Sequence, residues 1–183
     1  MTEDTRIPPT QQVQGGGYFK AFNILFLALL AGQIVFALVV FVLTRFVFEG
    51  GLRNDPAVSK VLTITVPALM FISFAASYSI FKKRIELVKQ ANDLTTQLND
   101  YRALYITRFA LAEAPVLFAL IAELLTGSPV IWLFVVIGIV SMLSLKPTKD
   151  RLIKELELSS NDIDKLEGVD EVSDDDELKN DEV

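Results

Sequence analysis

The sequence predicts an all-α fold: a polytopic membrane four-helix bundle, N-in/C-in, with a short cytoplasmic helical hairpin and an acidic C-terminal tail. Three observations carry this expectation. Hydrophobic residues make up 51% of the 183 positions, yet they gather into four blocks instead of recurring at the period of a half-buried helix or strand. Lysine and arginine collect beside particular block ends, as the retention of basic residues in the cytoplasm demands. Negative charge is concentrated at the end of the chain.

Residues 1–20 read as a flexible N-terminal segment, because Pro8, Pro9, a Gln-rich patch and the triplet Gly15, Gly16, Gly17 build no core. Tyr18 and Phe19 stand where interfacial aromatic side chains belong. The transmembrane domain is expected over 21–145, with spans at about 21–44, 61–81, 105–125 and 130–145. Between Lys20 and Arg45 lie 24 uncharged residues, enough at 1.5 Å per residue to cross a hydrocarbon core of roughly 30 Å. This block is too long for a secretory leader, lacks a cleavage pattern and is expected to stay as a helix. The second block, 21 residues between Lys60 and Lys82, is interrupted only by Pro67, which neighbouring helices can accommodate. The third carries Arg108, Glu113 and Glu123, and the fourth is clean but short. Gly127 and Pro129 end one helix and open the next, so the third and fourth blocks form a tight helical hairpin. A two-span reading would leave the apolar run from Trp132 to Ile137 in water.

The connection 82–104 holds Lys82, Lys83, Arg84, Lys89 and Arg102, and the fourth block is followed by Lys146, Lys149, Arg151 and Lys154. The opposite loops are poor in basic residues, which sets both termini inside. Leu87, Ala91, Leu94, Leu98, Tyr101 and Tyr105 recur at spacings of four and three and form a packing stripe. The connection is either an antiparallel hairpin turning at Asn92 and Asp93, the preferred geometry, or a single amphipathic helix on the membrane surface. Residues 146–168 form a cytoplasmic helical segment in which Pro147 and Thr148 stop one helix and cap another, with Leu152, Ile153 and Leu156 on its apolar face. Residues 169–183 form an acidic disordered tail. From Asn161 onward there are 11 acidic residues against two lysines, a net of minus nine within a total of minus six, so the preceding chain is positive by three. That field disfavours nucleic acid, and the tail reads as a solvated end or a docking site for a basic partner. Its glycine and glutamate positions do not fit a calcium loop.

Cysteine and histidine are absent, which excludes disulfides, thiol catalysis, His-based zinc or haem ligation and a Ser-His-Asp arrangement. No cofactor, metal or enzymatic activity is expected. The residue singled out for chemistry is Glu113, inside the third block, where an ionised carboxylate among lipid tails is costly. It is read either as a proton or cation relay or as a structural polar contact to the region of Gln33 on the first span. Pro115 opens the backbone bond to Leu111 and is expected to kink this helix. Arg108 can snorkel to the cytoplasmic interface, and Glu123 is read as a boundary residue in reach of water. Ser73, Ala75, Ala76, Ser77 and Ser79 form a small-residue patch suited to close helix packing.

The run TRFALAEAPVLF at 107–118 resembles the outer helix of the proteolipid, or c-type, rotor subunits of rotary ATPases, which implies that Glu113 matches their ion-binding carboxylate. The overall layout is similar to small four-span inner-membrane proteins of Bacteroidota-like bacteria, which implies a bacterial cell inner membrane location and no particular activity. The leading functional expectation is a non-enzymatic accessory or scaffold protein in the lipid bilayer that engages membrane-complex partners through its cytoplasmic segments. The alternative is an oligomeric proton or cation transport component, a homo-oligomer using a carboxylate in the third span.

Overall fold

The structure, a computed structural model, describes residues 15–48, 50–52, 55–91, 93–160, 162 and 163. The acidic tail therefore lies outside the described residues, as does most of the N-terminal segment. Helix α1 (Gly15–Val42) begins within the stretch read as a flexible lead-in and passes directly into a π-helical turn (Leu43–Val47). Its buried positions are Phe22, Phe26, Leu30, Gln33, Ala37, Val40 and Thr44, a stripe at spacings of three and four. Ile24, Leu27, Val35 and Leu38 on the other sides are exposed, an arrangement stable where the surrounding solvent is lipid.

Helix α2 (Pro56–Lys89) starts with Asp55 as N-cap, its carboxylate accepting from the Ala57 amide at 2.9 Å, and Pro56 in the first turn, where its missing N–H costs nothing. Helix α3 (Leu94–Thr126) starts on Asp93, which accepts from the amides of Thr95 and Thr96 and from the Thr96 hydroxyl. α2 and α3 are thus the two arms of an antiparallel hairpin; Asn92 at its tip lies outside the described residues. Pro67 and Pro115 sit inside helices that continue through them. Helix α4 (Pro129–Leu143) follows Gly127, and the short helix α5 (Lys149–Leu156) is capped by Thr148.

Among the described residues three helices are long and apolar enough to cross a membrane: Lys20–Val47, Pro56–Lys89 and Leu94–Thr126. This corrects the expected four-helix membrane bundle. α4 has 15 residues, a rise of about 22 Å against a hydrocarbon core of roughly 30 Å. Its apolar run continues to Leu145, but the helix ends at Leu143, so composition overstated its reach.

The core has two parts. One gathers Phe22, Phe26, Tyr101, Tyr105, Phe109, Met142, Leu152 and Leu156 near the α2–α3 turn; the other gathers Ala37, Val40, Val66, Met70, Val116, Leu120, Ile131 and Val135 toward the α3–α4 turn. α3 has the largest set of buried residues of the three long helices and packs against both α1 and α2. Gly138 is what lets α4 approach: a Cβ there would overlap Val116 Cγ2 and meet Met70 Cε at 3.2 Å.

The cytoplasmic stripe is also corrected. Leu98, Tyr101 and Tyr105 are buried, Ala91 and Leu94 are half-buried, but Leu87 is 67% exposed. Ile85 and Val88 face inward on α2 instead, because the turn at residues 90–93 resets the helical phase, and spacing counted across it does not define one face.

Candidate functional site

The α3–α4 hairpin builds the site. α3 terminates on Gly127, whose left-handed conformation (φ 61°) lets its amide donate to the Glu123 carbonyl at 2.7 Å. Ser128 and Pro129 open α4 immediately afterwards. Two antiparallel helices joined this tightly bring together residues nearly equidistant from the turn, Glu123 and Trp132. The indole Nε1–H donates to Glu123 Oε1 at 2.8 Å.

Glu123 is 1% exposed, and its second oxygen, Oε2, has no hydrogen-bond partner. This overturns its reading as a boundary residue in reach of water. The nearby Thr126 hydroxyl is already engaged, donating to the Ala122 carbonyl at 2.8 Å and accepting from the Ser128 amide. Arg45 lies on the π-helical turn, its guanidinium 6.0 Å from the Phe41 ring. Phe41 in turn meets Trp132 edge to face at 5.8 Å, so α1 steadies the indole that holds the carboxylate. The segment 50–52 closes the site from outside: Leu52 donates its amide to the Leu124 carbonyl at 3.0 Å, and Gly50 and Gly51 lie against Gly127 and Thr126.

The residues singled out from sequence are not gathered here. Glu113 is half-buried, and among the described residues no hydrogen bond or ion pair reaches it. Gln33 is 1% exposed with neither amide atom hydrogen-bonded, so the polar contact expected between Glu113 and Gln33 is not formed. Pro115 is buried in α3, two residues from Glu113. Arg108 does not snorkel free of the protein; its guanidinium stacks 4.1 Å from the Phe81 ring and 5.6 Å from the Tyr105 ring, leaving Nη1 buried without a partner.

At the opposite end, Tyr101 and Tyr105 each donate a hydroxyl to Glu155 Oε2, at 2.9 and 2.8 Å. Arg151 Nε donates to Glu155 Oε1, and Arg151 Nη1 to the Ser144 carbonyl. Lys89 bridges α2 to Glu157 at 2.7 Å. α5 is therefore clasped onto the bundle, with Leu152 and Leu156 buried beneath it. Among the described residues no group of three or more His, Cys, Asp or Glu is placed to hold a metal ion.

Sequence reasoning missed Glu123 as a site because hydropathy placed it near a span end. The available signal was the tight Gly127–Pro129 turn together with an indole nine positions away, which supplies a buried donor for a buried acceptor.

No family model, no curated protein and no solved structure matches the chain. With three long spans in place of four and no match to any family, the resemblances to four-span inner-membrane proteins and to rotor proteolipids are not upheld.

Proposed function

We propose that the chain is a membrane-spanning component of proton or cation transport, with the Glu123 carboxylate of α3 as the exchanging group. The observation that carries this reading is a fully buried carboxylate held at one oxygen by Trp132 and left without a partner at the other. An unsatisfied buried oxygen costs about 1–3 kcal/mol or more, so a fold that keeps one beside a prepared donor, in a span where carboxylates are rare, points to use rather than packing. The π-helical turn carrying Arg45 adds to this, since such turns are frequent at functional sites. In this reading the end bearing Lys82, Lys83 and Arg84 faces the cytoplasm by the positive-inside rule, in a bacterial inner membrane, and the exposed apolar faces of α1 and α2 meet lipid or further copies of the chain.

The accessory or scaffold reading has less to rest on. Part of its described partner surface is engaged within the chain: the tyrosines of the stripe bind Glu155, and α5 buries its apolar face on the bundle.

The test is ion flux into vesicles reconstituted with the purified full chain under an imposed potential. Wild-type protein is expected to conduct and Glu123→Gln to fall to the protein-free background while remaining folded by circular dichroism. Equal flux from the two proteins would contradict the assignment.

A further inference from the structure

We infer that the species exchanged at Glu123 is the proton, taken up on Oε2, and not a metal cation. This rests on Glu123 being the exchange group and adds the identity of what it exchanges. A calcium ion needs six to eight oxygen ligands, and even the alkali ions are held by rings of several. Among the described residues the side chains at the site offer one uncommitted carboxylate oxygen, Glu123 Oε2. The Thr126 hydroxyl donates to the Ala122 carbonyl and accepts from the Ser128 amide, so it keeps a single lone pair, and the contact at Oε1 is an N–H donor, whose hydrogen repels a cation. α4 contains no ionisable side chain. α2 contributes none between Lys60 and Tyr78, the stretch whose Val66 and Met70 pack in the same core.

A proton needs a single oxygen. Uptake forms one O–H bond at Oε2 and turns the carboxylate into a neutral carboxylic acid; release breaks that bond and returns the proton to water. Charge and atoms balance with no other reactant. Oε1 keeps its Trp132 hydrogen bond throughout, so the side chain stays fixed while its charge changes.

The experiment is infrared difference spectroscopy on the full chain in lipid, stepping the pH, alongside flux measurements in the same lipid. The expected result is a carboxylic acid C=O band that gains intensity on acidification, shifts in D2O, is missing in Glu123→Gln and is unmoved by Na+, K+ or Ca2+. Trp132→Phe should shift the frequency of this band, because the C=O loses its donor, and serves where Glu123→Gln folds poorly. Flux should persist when choline replaces Na+ and K+. A band displaced by any of these metal ions, or a flux that requires one of them, would overturn the proton assignment while leaving Glu123 as the exchange group. A Glu123 band without flux would leave the proton on Glu123 but refute transport.

Discussion

At the scale of the residue, three side chains are expected to respond in different ways. Trp132→Phe keeps the ring against Phe41 but removes the donor at Glu123 Oε1, leaving a second buried oxygen unpaired; a loss of about 1–3 kcal/mol in unfolding free energy is expected. Gly127→Ala should cost about 1–2 kcal/mol from its left-handed backbone alone, and more because a Cβ there would overlap the Gly50 backbone. Its effect should be separable from that of Glu123→Gln, which leaves the backbone intact and is expected to spare stability while silencing flux. Denaturation monitored by circular dichroism reads the first two directly, since Trp132→Phe removes the chain's single Trp. Glu113 was legible as a costly charge in a span, but among the described residues no hydrogen bond or ion pair reaches it. Glu123 was misread because distance from a span end says nothing about whether a neighbouring hairpin arm covers the side chain.

Helix starts and stops were the most legible features at the scale of the element. Asp93, Thr148, Gly127 and Pro129 act where turn and cap chemistry places them. Less legible was which face of each helix is buried, because in lipid both faces are apolar and hydrophobic spacing loses its contrast; Gln33, Gly138 and Ser77 lie on the inner side, while Ala75 and Ser79 of the small-residue patch are exposed. Gly138→Ala tests that packing: the added methyl group must displace Val116, and overpacking of this kind costs about 1–3 kcal/mol, measurable as a lowered Tm. The cap at Asp93 has a pH signature. Hydrogen bonds from the Thr96 side chain and the Thr96 and Thr95 amides hold its carboxyl below the usual carboxylate range. A depressed folded-state pKa contributes stability above the unfolded value that is lost as pH falls through the folded one. The hydrogen-exchange protection factors at the start of α3, taken against the intrinsic rate at each pH, should therefore fall on acidification in the wild type and be low and largely independent of pH in Asp93→Ala.

For the whole molecule, the membrane class followed from composition, and the span count did not. Block counting treats any long apolar run as a crossing, whereas crossing depends on helical rise, and α4 falls short of the bilayer at 15 residues. The absence of cysteine makes the topology open to direct labelling, since any introduced thiol is unique. Ser59→Cys at the start of α2 and Lys83→Cys near its end are expected to react with a membrane-impermeant reagent from opposite sides, Lys83→Cys only after the cytoplasmic face is exposed. Labelling of both from one side would contradict a spanning α2.

The identity of the exchanging carboxylate separates the account most sharply from its alternatives. The decisive measurement is proton flux into vesicles containing, side by side, wild-type protein, Glu123→Gln and Glu113→Gln at matched protein content. Flux abolished in Glu123→Gln and retained in Glu113→Gln is the expected result. Flux that survives Glu123→Gln unchanged would contradict the assignment, and loss confined to Glu113→Gln would move the site ten residues along α3 to the carboxylate that no partner among the described residues holds.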